Sequence, residues 1–185
     1  MLQNIIFHES DILFLQNTSL KKMSPINWGK TVSIINEYIQ QSIFEYLEFD
    51  CKTNEEMCGS GYDLLLDKKI KIQCKIRQVE GQTAYSKSIH FSTTRRKSIK
   101  NIDKCKTGHV CYSSSEFDYV FVSLVHKGMR DLIDWKFALI PVEELIVEGD
   151  NLVTSISSNL LDKYKVTSIS DITLRLRSYQ LLQLP

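Results

Sequence analysis

The sequence predicts a mixed α/β domain (α+β, with helices beside a mixed sheet) in the order helix, three strands, helix, strand, then C-terminal additions. Three observations predict it. Between Thr31 and Leu47 the apolar residues Ile35, Ile39, Ile43 and Tyr46 recur every three to four positions, which is helical periodicity. Tyr62–Leu66 and Ile70–Arg77 read as two strands separated only by Asp67-Lys68-Lys69. Phe117–Val125 is an apolar, β-branched run of the kind that fills a central strand. A chain of 185 residues is read as a single domain, with its core over about 31–148, an N-terminal helical extension over 1–30 and a C-terminal addition over 149–185.

The remaining elements follow in order. The first residues contain a weakly helical stretch that ends in the loop-like Ser24-Pro25-Ile26-Asn27-Trp28-Gly29. On the helix over 31–47, Glu37, Gln40, Gln41 and Glu45 lie off the apolar stripe. Glu48–Thr53 is read as a first strand, and Asn54–Gly61 as a loop closing in Gly59-Ser60-Gly61. Ser92 or Thr93 is placed to cap a helix running to about Asp103. Trp135–Ile140 is a further strand, with Pro141 positioned to start the helix after it. Thr173-Leu-Arg-Leu-Arg177 alternates apolar with charged and suggests one more strand.

Composition limits the function. With 43% hydrophobic residues the chain can bury a core, and its 24% charged residues are ordinary for a soluble protein. No apolar run approaches the roughly 18 residues a membrane span needs, and Met1–His8 lacks the basic start of a secretory signal. An intracellular, cytoplasmic location is expected. Cys51, Cys58, Cys74, Cys105 and Cys111 form no CxxC pair, and the four histidines join none of them in a zinc pattern. The cysteines are read as reduced, small apolar residues, and His90 as structural. Net charge is +1, but Arg95, Arg96, Lys97, Lys100, Lys104 and Lys106 crowd one span, and Lys68, Lys69, Lys71, Lys75 and Arg77 another. Local patches of this kind contact phosphates even on a neutral molecule, and otherwise form a solvated face.

The chemistry-bearing stretch is Gly61 to Arg77. Alternation puts Ile70, Ile72, Cys74 and Ile76 on one face of their strand and Lys71, Gln73, Lys75 and Arg77 on the other. Matching the apolar faces of the two strands requires Leu66 opposite Ile70 and Leu64 opposite Ile72. Asp63 then falls opposite Gln73 and diagonal to Lys75. A carboxylate, a neutral amide oxygen and the backbone carbonyl of Cys74 suit a hard, oxygen-preferring cation. An ammonium beside them orients water or neutralises a phosphate.

Asp63-x(9)-Gln73-x-Lys75, led by Gly61-Tyr62 and closed by Ile72-Gln73-Cys74-Lys75, resembles the PD-(D/E)xK nuclease superfamily. It is most similar to the branch with Gln in place of the second acid, found in Mrr-like and some type II restriction enzymes. The resemblance covers about Thr31 to Val125 and is specific at four or five positions. Tyr62 departs from the family's proline, and Gln73 carries no charge.

The resemblance implies a restriction-endonuclease-like core and Mg²⁺ as cofactor, with Mn²⁺ as substitute. It implies Asp63, Gln73, Lys75 and a helix acid as the catalytic set; Glu37 suits the spacing, and Glu45 competes with it. It further implies DNA contacts from Arg77 and Lys87, and from Thr94, Arg95, Arg96, Lys97 and Lys100 at the second helix. The expected activity is endodeoxyribonuclease, as a prokaryotic restriction enzyme or its cleavage subunit. Its partners would be double-stranded DNA and either a second copy (a homodimer) or a larger DNA-recognition subunit, with no membrane. The rivals are a Holliday-junction or repair nuclease, a homing endonuclease of similar size, and an inactive nuclease-like DNA-binding or scaffold subunit.

Overall fold

The structure is a computed structural model that describes residues 28–54, 61–79, 89–90, 94–96, 109–126 and 135–182. The N-terminal extension before Trp28, the Gly59-Ser60 pair, and Lys87, Lys97 and Lys100 lie outside the described residues.

The first described element is the helix Trp28–Tyr46 (α1). It ends without glycine. Glu48 takes a left-handed φ of 64°, Phe49 N–H donates to Phe44 O at 3.1 Å and Glu48 N–H to Glu45 O at 2.9 Å. These bonds form a Schellman cap, closed by edge-on packing of the Phe44 and Phe49 rings with centroids 6.4 Å apart. The buried face of α1 differs from the expected stripe. Ile39, Ile43 and Phe44 are buried, but so are Asn36 and Gln40, while Tyr46 is 55% exposed. The row 36–40–44 faces the sheet, where Gln40 donates to β-strand acceptors and to Asn36 Oδ1 beside it, and Tyr46 stands beyond the line of contact.

Five strands form the main sheet: β1 (Cys51–Thr53), β2 (Leu64–Leu66), β3 (Ile70–Val79), β7 (Tyr119–His126) and β8 (Lys136–Pro141), in the order β1-β2-β3-β7-β8. Between β3 and β7 come three short strands: β4 (Ile89–His90), β5 (Thr94–Arg96) and β6 (His109–Cys111). The expected register holds, with Leu66 opposite Ile70 and Leu64 opposite Ile72. The three-residue connection bends through left-handed Asp67 (φ 49°) and Lys68 (φ 59°). Asp67 is locked there because its Oδ1 accepts the Asp50 N–H at 2.9 Å. Strands β3 and β7 run parallel. Asp118 sets their start, accepting Lys71 N–H on its carboxylate at 2.7 Å and donating its own N–H to Lys71 O at 2.9 Å.

Both faces of the sheet are covered. On one, Ile70, Ile72, Phe121, Phe137 and Leu139 pack against Ile39, Ile43 and Phe44 of α1 and against Ile172 and Leu176. On the other, Val120, Val122, Leu124, Ala138 and Ile140 pack against Leu145, Leu152, Ile156 and Leu161 of the C-terminal additions. Each such fully buried side chain contributes roughly 1.5–3 kcal/mol. The additions are a short 3₁₀ turn Val142–Leu145, strands β9 (Ile146–Glu148), β10 (Asn151–Leu152) and β11 (Ser155–Ile156), and helices α2 (Ser158–Lys163) and α3 (Ile169–Leu182). The helix expected after Pro141 is thus one 3₁₀ turn.

Two further expectations are corrected. Thr94–Arg96 is not helical: it is β5, paired antiparallel with β6, Arg95 opposite Val110. Thr94 and Val110 are β-branched and suit a ladder. The rest of the expected helix lies outside the described residues. Thr173–Arg177 is not a strand: it lies in α3, where Ile172 and Leu176 are buried and Leu174 is 68% exposed. Burial at i and i+4 shows that a helical stripe governs here. The start signal is Ser168-Ile-Ser-Asp171, a capping box: Ser168 Oγ accepts Asp171 N–H at 3.3 Å and Asp171 Oδ2 accepts Ser168 N–H at 3.1 Å. Among the described residues no helix is long and apolar enough to cross a membrane.

Candidate active site

The backbone places Asp63. Its N–H donates to Ile72 O at 2.9 Å and its carbonyl accepts Asn54 N–H at 2.9 Å, so both ladders continue one residue past Leu64. That continuation fixes Asp63 across from Gln73. The Asp63 Oδ2 accepts from Gln73 Nε2 and, at 2.7 Å, from Cys74 N–H. Gly61 fixes the approach to Asp63. A Cβ there would stand 2.2 Å from Glu116 Cβ, so only glycine lets this loop lie against Glu116.

Gln73 is buried, and its Oε1 is enclosed with no hydrogen-bond partner. Lys75, two positions along on the same face, is partly buried. Its Nζ lies 5.2 Å from the centroid of the Tyr112 ring, which itself packs edge-on to Phe117 at 5.9 Å. An ammonium over an aromatic face is attracted by the ring quadrupole.

Of the two helix acids, Glu37 is the one whose charge couples to Asp63 and Lys75. Its carboxyl is pushed up to about 7, first by burial and then by the Asp63 charge, against the pull of Lys75 and a hydrogen bond with Ser33. Burial also raises Asp63, although Lys75, Cys74 N–H and Gln73 draw it down. Burial lowers the Lys75 ammonium, although Asp63, Cys74 and Glu37 favour its charge. Glu45 stands elsewhere: it is exposed, accepts Gln41 Nε2 at 2.7 Å, and its charge acts on Cys51.

Carboxylates from two elements, an orphaned buried amide oxygen and the Cys74 carbonyl fit an oxygen-preferring divalent ion. Among the described residues no group of three or more His, Cys, Asp or Glu comes together. Glu37 and Asp63 with neutral oxygens would therefore hold such an ion. The thiols are unsuited: burial pushes Cys51 up to about 12 and Cys74 well above its ordinary value.

Of the expected DNA contacts, Arg77 is exposed at the end of the Gln73–Lys75 face. Thr94, Arg95 and Arg96 are placed by the backbone of β5, and Lys87, Lys97 and Lys100 lie outside the described residues. Sequence reasoning missed Tyr112 and Glu116, which approach from a segment about forty residues on and carry no local signal. It also missed Gln40, whose signal was a polar residue midway between Asn36 and Phe44 at helical spacing.

No family model matches this chain, and no curated protein matches it. Among solved structures, the bacterial homing endonuclease I-Ssp6803I aligns with a TM-score of 0.47 at 17% identity, over 84% of this chain and 98% of that one. A likeness at that level assigns neither family nor activity to this chain.

Proposed function

We propose that this chain is a Mg²⁺-dependent endodeoxyribonuclease of the PD-(D/E)xK type that hydrolyses DNA phosphodiesters. The observation that carries the reading is Asp63, bonded to Gln73 and electrostatically coupled to Lys75 and Glu37, with the charges of these three opposed by burial. Perturbed titratable groups concentrate at functional sites because catalysis needs charges held ready in a dry setting. Asp63 and Glu37 with Gln73 Oε1 and the Cys74 carbonyl would hold the ion. When bound, a divalent ion lowers the pKa of its water and offsets charge on phosphate oxygens. Lys75 Nζ orients the attacking water and donates to the phosphate oxygen as negative charge grows. Tyr112 holds that ammonium in place, and Arg77 offers an exposed cation for the DNA backbone.

The finer assignment is a restriction enzyme, or the cleavage subunit of one. It rests on the sequence resemblance and on the lack of a recognisable DNA-reading motif in the sequence. Recognition then comes from a homodimer or a larger subunit. The test pairs plasmid cleavage in Mg²⁺ with Mn²⁺ titration of wild type and Asp63→Asn. Mn²⁺ binding lost in Asp63→Asn, with cleavage by wild type alone, is expected. A wild-type protein that binds no Mn²⁺ would sink the metal-dependent reading.

A further inference from the structure

Behind Lys75, on the opposite face of β3, lies a buried polar group that the chemistry above does not use. Gln40 of α1 is 0% exposed. Its Nε2 lies 2.8 Å from Ser123 Oγ, 3.0 Å from Phe121 O, 3.2 Å from Asn36 Oδ1 and 3.5 Å from Lys75 O. Ser123 and Asn36 are themselves buried. An amide nitrogen has two hydrogens to offer, so it serves the near acceptors on β7 and α1 and only weakly the Lys75 carbonyl on β3. Gln40 Oε1 is enclosed without a partner. A leucine or methionine at this position would fill the space without leaving that oxygen orphaned, so packing alone does not account for a glutamine.

The position of the amide does account for it. Ile39, Ile43 and Phe44 of α1 meet the sheet through apolar contact, which has no preferred direction. It resists separation better than it resists a few degrees of rotation. A hydrogen bond has a required direction, and failing to make it in a dry interior is costly. Gln40 lies three residues after Glu37 and one turn after Asn36, and residues at that spacing move together. Fixing Gln40 against Ser123 and Phe121 therefore fixes the turn of helix that carries Glu37.

We propose that Gln40 is a positioning residue for the metal-binding site: its amide locks the rotation of α1 against β7 and so aims the Glu37 carboxylate at Asp63 and Lys75. The proposal rests on the metal-dependent reading above. It places this control on α1, behind the face of β3 that carries Gln73 and Lys75.

The experiment is a double-mutant cycle of Gln40→Met and Glu37→Gln, read as Mn²⁺ affinity by titration, with thermal unfolding run alongside. Gln40→Met is expected to weaken Mn²⁺ about tenfold in the wild-type background, the lower end for loss of an orienting outer-sphere partner. In the Glu37→Gln background the same change is expected to cost little more, because the carboxylate it aims is gone. Equal losses in both backgrounds overturn the proposal. Should Gln40→Met fail to fold, Ser123→Ala removes one acceptor and is expected to show the same non-additivity at smaller size; additive losses there overturn it equally. If wild type binds no Mn²⁺, the metal-dependent reading fails, and a crystal structure of Gln40→Met decides the positioning role. A turned α1, with Glu37 drawn away from Asp63 and Lys75, upholds it, and an unmoved α1 refutes it.

Discussion

Two groupings of carboxylate and lysine in this molecule behave in opposite ways. At the surface, Lys163 Nζ sits 3.0 Å from Glu144 Oε1, and Tyr164 OH donates to the same oxygen at 2.8 Å. There the hydrogen bonds from Lys163 and Tyr164 lower the Glu144 carboxyl, and Glu144 raises the Lys163 ammonium. Each charge suits the other. Around Asp63 and Lys75 both shifts are reversed, the carboxyl raised and the ammonium lowered, because burial outweighs their attraction. The surface pair is what solvated side chains settle into. The buried set is held against its electrostatic preference by the β2–β3 ladder and by Gly61, which is how a fold keeps reactive groups ready.

The sharpest way to break that contrast is to remove its charges. Lys75→Met is expected to reduce plasmid cleavage by roughly 10²–10⁴-fold, the usual range for losing a positioned proton-handling group. It is also expected to cost about 1–3 kcal/mol in denaturant unfolding at pH 8, because the buried Asp63 loses its cation. Asp63→Asn with Lys75→Met should regain that stability, or exceed wild type, while staying inactive. A double variant less stable than either single one would show that the site stabilises the fold, contrary to the comparison.

Gly61→Ala tests the scaffold that holds Asp63. The added methyl meets the Cβ of Glu116 at 2.2 Å, a stem atom that cannot swing aside. The loop must shift, at about 1–3 kcal/mol, and Mn²⁺ affinity should fall with stability. Unchanged affinity in a destabilised variant would mean that Asp63 is held by its strand bonds alone.

Gly61 also marks where sequence reading stops. The Asp63–Gln73 pairing was legible because period-two alternation and one short connection leave a single register that buries both apolar faces. Glu116 was not, since nothing local announces which distant residue will lie against a glycine. The same limit hid Gln40. Its polarity places it outside an apolar stripe, and only the tertiary partners Ser123 and Phe121 make its burial affordable. Glu37 was separable from Glu45 only in three dimensions, because both lie off the apolar stripe and only the fold leaves Glu45 exposed while it couples Glu37 to Asp63 and Lys75. Thr173–Arg177 was misread for a different reason. Alternating Leu and Arg imitates a strand, and the decisive cue lay upstream in the Ser168–Asp171 capping box.

Acidity separates the groupings further. Glu37 has its folded value raised to about 7 from an ordinary 4.5. The folded state therefore holds the proton more tightly, so this stability is fully present below about pH 4.5 and is lost as pH rises through about 7. Partial solvent exposure reduces the effect to on the order of 1 kcal/mol. Glu37→Gln should flatten the decline in unfolding free energy between pH 5 and 8. An unaltered slope would assign the decline to other groups. Because an ion needs the carboxylate, Mn²⁺ affinity of wild type should rise across the same window.

The smallest effect belongs to the surface pair. Lys163→Ala should leave the midpoint of thermal unfolding within error of wild type, since an exposed ion pair loses in side-chain freedom most of what it gains in attraction. Added salt should shrink any remaining difference, because it screens an exposed pair. Cleavage should also be unaffected, as neither Lys163 nor Glu144 touches the Asp63 group. If Lys163→Ala instead lowers the midpoint as much as Gly61→Ala does, the Tyr164 contact carries the weight. Tyr164 O anchors α3, accepting Arg175 Nη1 at 2.6 Å, and bonds to Leu139 N–H of β8 at 3.0 Å. A surface charge would then be holding the helix that covers the core, and the line between a settled pair and a constrained site would have to be drawn by connection to the sheet rather than by burial.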